Sequence, residues 1–464
     1  MLTHRALTLT NAASKRTQEH FSCTLHDRRL GHDMDQRMNR TIFFFATLLV
    51  SAAALADSGS KWVATWSTSP QGPYPIGYTV GQPLLNYALP NDRAHEQSFR
   101  LIVHPSVWGE KWRIRLSNNF GTAPVTIGHA FVGVQESGSN LVPGTNRELT
   151  FGGRQAVTIP VGTEVFSDPV HLETGHEGGG AQALAVSLYT PGTTGPITWH
   201  AAAFTTSYIS FPGAGDHTAE PAGDVYANST TSWYWLDGVE VRADSDTKVV
   251  VAFGDSITDG FFSTLNGEDR WANFLDRRLK AQSDSSFSVV NEAIGGNMVI
   301  AVRPAPGCTL CDGERAGIRL ERDVFGQAGV TTVVWLEGIN DIGGADASAA
   351  TVIDGMRAII TRVHARGLKI IGATLTPSGG TAFGDYGTTT ANTQRNIVNE
   401  FIRHGGWFDG VVDFDAVTRD PATPGFLLPQ FNLQSTTGGV GDHLHPSRPG
   451  FIAMADAFDL RLFR

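Results

Sequence analysis

Four short segments of this chain place reactive or hydrogen-bonding side chains just beyond apolar runs. In "VVAFGDSITDG", Val250 to Gly260, the run Val250, Val251, Ala252, Phe253 stops at Gly254, and Asp255 and Ser256 follow at once. A buried parallel strand ends in this way at the carboxyl edge of its sheet, and open α/β sheets bind ligands at that edge. "NEAIGGN", Asn291 to Asn297, and "EGIND", Glu337 to Asp341, leave two further apolar runs, while "GDHLHPSRPG", Gly441 to Gly450, precedes the last helical pattern. If the runs are strands of one parallel sheet, their ends share an edge where a nucleophile, an oxyanion site and a base can meet. Each residue taken singly has a plainer use. Ser256 can cap a helix, Gly295 and Gly296 can form a turn, Asn340 can cap the helix after Asp341, and His445 can be a surface histidine. The coincidence of all four at strand exits or before a closing helix is what points to catalysis.

The elements around them divide the chain. From Trp62 to about Val241, short strand patterns alternate with Gly, Pro, Asn and Ser. In "KWRIRLSN", Trp112, Ile114 and Leu116 alternate with Lys111, Arg113 and Arg115, the period of a strand with one buried face. Many such strands at short spacing predict an all-β antiparallel sandwich. Beyond "EVRADSDTK", Glu240 to Lys248, apolar runs ("VVVAF", "SVVNEA", "TTVVWLEG", "KIIGATLTP", "GVVDFDA") alternate with helical patterns. In "ATVIDGMRAIITRVHARG", Val352, Met356, Ile359, Ile360 and Val363 share one helix face. This alternation predicts an α/β fold, a doubly wound parallel sheet with right-handed crossovers. The expected division is 1–56 as a removed leader, 57–245 as the β-rich domain and 246–464 as the catalytic domain, in keeping with a length that exceeds one ordinary core.

The leader reading rests on Arg37 and Arg40, which precede the apolar run Ile42 to Ala56 ending in Ala54-Leu55-Ala56. Charged, apolar and small-residue parts in that order describe a secretory signal, and the run is too short for the roughly 20 residues of a membrane span. Asp57 is the expected mature N-terminus, Met38 the expected start codon, and the expected location is secreted or periplasmic, with no stable membrane anchor. The formal net charge is −10, and −13 once the seven basic and four acidic residues before Asp57 are gone. Such a surface argues against nucleic acid or anionic polysaccharide held by bulk charge. Cys23 leaves with the leader, so Cys308 and Cys311 remain. Zinc would need four ligands, and in an exported protein a local disulfide is expected ahead of a redox dithiol.

"GDSITDG", "NEAIGG", "GIND" and "DHLH" resemble, in order and spacing, the four signature blocks of the SGNH (GDSL) hydrolases, over about Val249 to Arg464. "RIRLSN" and the "SDPV" at Ser167 to Val170 are similar to the β-rich N-terminal domain of one extracellular branch of that family. The resemblance implies a flavodoxin-like sheet and makes Ser256 the nucleophile, His445 the base and Asp442 its orienting carboxylate. The Ser256 N–H, Gly296 and Asn340 become the oxyanion donors. Those roles suit the residue types. A serine hydroxyl is a poor nucleophile until an imidazole takes its proton, and a carboxylate fixes that imidazole's tautomer. Gly296 leaves its N–H unobstructed, and Asn340 offers a neutral donor. His443 is expected to point away from His445 in an extended segment. Asp255, Asp259 and Asp341 are expected to hold turns and loops.

The function implied is a secreted serine esterase that splits short-chain, aryl or carbohydrate acyl esters, with no metal or organic cofactor and a small-molecule or carbohydrate substrate. An α/β-hydrolase lipase is disfavoured because Ser256 lies in no G-x-S-x-G elbow. The alternatives are a polysaccharide deacetylase tethered by a carbohydrate-binding β-rich domain, and a lipase or lysophospholipase. Trp62, Trp66, Trp108, Trp112, Trp199, Trp233 and Trp235 are the candidate sugar platforms of the first, though most are expected in the core.

Overall fold

Five apolar runs become the five strands of one parallel sheet: β1 (Lys248–Gly254), β2 (Phe287–Ala293), β3 (Val330–Leu336), β4 (Lys369–Ala373) and β5 (Gly410–Val412). The computed structural model describes residues 59–76, 85–173, 182–282, 287–302, 310 and 312–464. The expected leader, with its cleavage point after Ala56, and the expected Cys308–Cys311 disulfide lie outside the described residues.

The sheet order is β2-β1-β3-β4-β5, every pair parallel. This is the flavodoxin-like order, and the chain reverses its winding direction at β1. Val249 to Phe253 are fully buried, which is why β1 reads as a continuous apolar run and does not alternate. Helices connect the strands. Trp271–Gln282 leads into β2, Ala349–Ala365 into β4 and Thr389–His404 into β5. Ala349–Ala365 buries Val352, Ile353, Met356, Ile359, Ile360 and Val363, the face its 3.6-residue period marks out. Ser348 caps its start by accepting from the Thr351 N–H.

Before β1 the described structure is mostly antiparallel. One sheet pairs Ser60–Ser67 with Leu236–Asp244 and the latter with Lys111–Ser117. A larger sheet is built on His95–Val103, Leu184–Thr193 and His129–Ser137. Three residues separate the antiparallel strand Leu236–Asp244 from β1. By contact, Asp57–Arg464 form one unit. A single hydrophobic cluster runs from Val63, Trp112 and Val239 through Val250, Val334 and Phe451.

That continuity corrects one expectation. Lys111–Ser117 does bury Trp112, Ile114 and Leu116, but Arg115 is buried as well. On the face opposite Trp112, Lys111 is exposed and Arg113 half-buried, but at Arg115 the α/β region covers the strand: Arg115 Nη1 donates to the Gly326 carbonyl at 3.4 Å, and its Nε donates to Asp237 at 2.9 Å. Burial would pull the guanidinium down, but Asp237 and Glu164 beside it hold it well above its ordinary value. A period-two pattern reports which face is apolar, not whether the other is covered. Among the candidate sugar platforms, Trp66, Trp112, Trp199, Trp233 and Trp235 are buried. Trp62 is half-buried beneath the guanidinium of Arg113, 4.5 Å above its ring, and Trp108 packs edge-on to Trp112 with ring centroids 5.4 Å apart. Among the described residues, no helix is long and apolar enough to cross a membrane.

Candidate active site

β1 delivers Gly254 to the switch point, and Asp255 turns the chain. Its Oδ1 accepts the Ile257 N–H at 3.0 Å, capping the short helix Ser256–Asp259. Asp255 is completely buried, and among the described residues its Oδ2 has no hydrogen-bond partner. Burial therefore pushes its carboxyl well above the usual range. Ser256 opens that helix and is 4% exposed.

His445 reaches Ser256 from the far end of the domain. Its Nε2 lies 2.7 Å from Ser256 Oγ, and its Nδ1 donates to Asp442 Oδ2 at 2.5 Å. Asp442 Oδ1 accepts the Leu444 and His445 N–H groups, both at 2.9 Å, so the three-residue spacing closes a tight loop that holds both side chains. Burial would raise the Asp442 carboxyl, but the His445 imidazole and these N–H donors hold it below the usual value. Phe261 stacks on the His445 ring with centroids 5.2 Å apart, and Phe262 meets it edge-on at 5.7 Å. Ring packing and the Asp442 bond together leave the imidazole one orientation.

Gly296 and Asn340 line the same cleft as Ser256 and His445, with a volume of about 360 Å³. Gly296 sits at φ 81°, and a Cβ there would lie 2.5 Å from Asp312 Cγ, so the loop requires glycine. Asn340 is not a helix cap. Gly338, at φ 126°, precedes the helix Ile339–Ala345, and Asn340 lies inside it. Its Oδ1 accepts the Tyr386 hydroxyl at 2.8 Å, and its Nδ2 donates to the Asn297 carbonyl at 2.9 Å. The amide is thereby oriented, with its second N–H left over for a further acceptor.

The supporting acids behave as loop holders. Asp259 Oδ2 accepts the Gly295 N–H at 3.1 Å, and Asp341 accepts the N–H groups of Val299 and Ile300, each at 2.9 Å. Burial pushes the Asp341 carboxyl up to about 6 against those two donors. His443 adopts φ 62°, which breaks the extended alternation, and the Asn432 amide lies 2.9 Å from its Nδ1.

Residues 252–451 match the model of the GDSL-like lipase/acylhydrolase family. That stretch belongs to this family. The GDSL-like domain begins inside β1 and ends inside the helix Arg448–Asp456, so it encloses Ser256, Gly296, Asn340, Asp442 and His445. It makes the chain a carboxylic ester hydrolase.

The chain is similar to a lipase/acylhydrolase from Enterococcus faecalis, at 21% identity over 46% of this chain and 94% of that one, with a TM-score of 0.34. It is similar to a GDSL-like lipase from Bacteroides thetaiotaomicron VPI-5482, at 15% identity over 47% and 87%, with a TM-score of 0.34. The acetyl xylan esterase AlAXEase is 18% identical over 45% of this chain and 96% of its own, with a TM-score of 0.31. A search of the curated proteins returns no match.

All five candidate residues named from the sequence thus come together in one cleft or its immediate support. Sequence reasoning missed Tyr386, Asn297 and the Phe261–Phe262 pair. The two phenylalanines directly follow the "GDSITDG" block, a signal that adjacency could have supplied. Tyr386 lies 46 positions from its partner in a glycine-rich loop and gave none.

Proposed function

We propose that this chain is an exported serine esterase that hydrolyses short-chain, aryl or carbohydrate acyl esters through an acyl-enzyme. The observation that carries the reading is the series Ser256 Oγ to His445 Nε2 at 2.7 Å and His445 Nδ1 to Asp442 Oδ2 at 2.5 Å, at the end of β1. Ser256 Oγ attacks the ester carbonyl carbon as its proton passes to His445 Nε2, and the carbonyl electron pair moves onto oxygen. Asp442 keeps the other imidazole nitrogen protonated and stabilises the imidazolium.

The oxyanion is received by the Ser256 N–H, the Gly296 N–H and the second N–H of the Asn340 amide. At the first position of its helix, the Ser256 N–H has no intrahelical acceptor. The imidazolium then gives its proton to the leaving alcohol as the C–O bond breaks. Water repeats the sequence on the acyl-enzyme and releases the acid and free Ser256.

Export rests on the segment Ile42 to Ala56 and its small-residue end. A cleft of about 360 Å³ walled by Gly343, Gly344, Phe383 and Tyr386 supports small acyl groups. The test is hydrolysis of p-nitrophenyl esters of increasing chain length beside acetylated xylan, by the wild type and by Ser256→Ala. The wild type should favour short chains. Ser256→Ala should lose about 10⁴-fold or more in rate, and a variant that retains more than a few per cent would overturn the assignment.

A further inference from the structure

The oxyanion loop leaves the strand at Ala293; the Ile294 N–H still donates to the Gly254 carbonyl at 3.1 Å, and the Asn297 N–H closes the turn on the Ile294 carbonyl at 3.1 Å. Between those two bonds the backbone is held by side chains that reach it from elsewhere. The Gly295 N–H, one residue from the proposed donor Gly296, is held by Asp259 Oδ2 at 3.1 Å. The other oxygen of that carboxylate, Oδ1, lies 3.2 Å from Nε2 of His200. His200 belongs to the antiparallel region, in the strand Trp199–His200 paired with Trp233–Tyr234. Its side chain is 2% exposed, its Nδ1 donates to the Ser69 carbonyl at 2.9 Å, and its ring packs on Trp233 at 5.6 Å. The imidazole is fixed at one nitrogen and on one face, with the remaining nitrogen aimed at Asp259; as both partners are acceptors, the two bonds together take an N–H at each nitrogen, the imidazolium form paired with the Asp259 carboxylate.

A carboxylate anchored through one oxygen can swing about its terminal torsion, which is broad and roughly two-fold. A carboxylate held at both oxygens cannot. A second bridge runs in parallel. Ser69 Oγ accepts from Arg319 Nη1 at 3.1 Å, and the same fully buried guanidinium donates to Asn297 Oδ1 at 2.7 Å and to the Gly254 carbonyl at 2.8 Å. Asn297 follows Gly296, and Gly254 lies two residues before Ser256.

We propose that His200, acting through Asp259, is a positioning residue for the oxyanion loop, so that the antiparallel region is a working part of the esterase site and not a separate module. The inference rests on the reading of Gly296 as an oxyanion donor. An N–H aimed at developing charge loses much of its effect when displaced by a fraction of an ångström, and a full ångström can cost about 100-fold. The loss should fall on kcat, because the donor acts mainly in the transition state.

The test compares His200→Asn with His200→Gln in the full chain. The Asn amide nitrogen occupies the place of Nδ1 and keeps the Ser69 bond but loses Asp259. The Gln amide nitrogen occupies the place of Nε2 and keeps Asp259. Rates are expressed per active site, counted by titration with a serine-directed phosphonate, so that misfolded protein is not scored. His200→Asn should lose about 10-fold in kcat with KM within about twofold, and should bind a trifluoromethyl ketone about 10-fold more weakly. His200→Gln should recover most of both.

An unchanged kcat per site in His200→Asn, equal losses in the two variants, or a loss confined to KM would each overturn the proposal. Ser256→Ala separates its failure from that of the reading beneath it. An active Ser256→Ala overturns both, whereas an inactive one beside a full-rate His200→Asn overturns only the positioning role.

Discussion

Removing the Asn340 amide and its anchor, singly and together, tests whether the oxyanion site works as the geometry implies. The amide makes two buried bonds, to Tyr386 and to the Asn297 carbonyl, and offers one more N–H to the cleft. Deleting one oxyanion donor lowers kcat by about 100 to 1,000-fold, about 2.7 to 4 kcal/mol. Asn340→Ala should show that loss with KM little changed. It should also lower the melting temperature, since it removes two buried hydrogen bonds, from the Tyr386 hydroxyl and to the Asn297 carbonyl, each worth about 1 kcal/mol.

Tyr386→Phe keeps the ring that lines the cleft and removes the hydroxyl that anchors the amide. The amide can still donate, but only the Asn297 carbonyl then orients it, and a loss of about 1 kcal/mol, roughly 5-fold in kcat, is expected. The decisive arm is the double variant. If Tyr386 acts through Asn340, Tyr386→Phe should lower kcat in the wild type and do nothing further in Asn340→Ala. Steady-state kinetics on p-nitrophenyl acetate with melting curves of all four proteins measures this. Equal fold-losses for Tyr386→Phe in both backgrounds, or an unchanged kcat in Asn340→Ala, would refute the reasoning.

Gly296→Ala should lower both kcat and melting temperature, because at φ 81° its methyl meets Asp312 at 2.5 Å and the loop must shift. Kinetics and calorimetry of the variant check it, and a fully active, equally stable protein would contradict it. Glu337 is completely buried, and burial pushes its carboxyl up to about 7 against the opposing pull of Arg319. Its folded-state value lies above the unfolded one, near 4.3, so unfolding releases a proton between those values and stability falls as pH rises through that window. The stability lost across it is on the order of 4 kcal/mol. Glu337→Gln should flatten that fall between about pH 4 and 7, as urea titrations at several pH values would show; an unaltered slope would sink the assignment. N-terminal sequencing of exported protein should begin at Asp57, and a chain starting before Ile42 would mean that the segment is retained.

The parallel sheet was legible because its strands are buried on both faces and read as unbroken apolar runs, each followed by small or polar residues. The same feature made the site legible, since Ser256, Gly296 and Asn340 all follow strand exits and His445 stands next to the closing helix. What did not read through was tertiary. Alternation marks one buried face on the strand Lys111–Ser117 and leaves Arg115 off it, yet the α/β region covers Arg115 and Asp237 pairs with its charge. Asn340 was weighed as a helix cap, but Gly338 at φ 126° takes that position, a backbone choice that composition does not reveal. His443 departs from strand alternation through a positive φ. Tyr386 and His200 meet their partners across 46 and 59 positions, distances over which no local period carries information.

The nucleophile is the central claim, and trapping the acyl-enzyme tests it most directly. Wild-type protein mixed with p-nitrophenyl acetate, quenched in acid within the burst and digested, should carry one acetyl group on the peptide containing "GDSITDG", with fragmentation placing it on Ser256. His445→Ala should fail to accumulate it. An acetyl group on another residue, or rapid turnover with no covalent intermediate under conditions that show a burst of p-nitrophenol, would contradict the account.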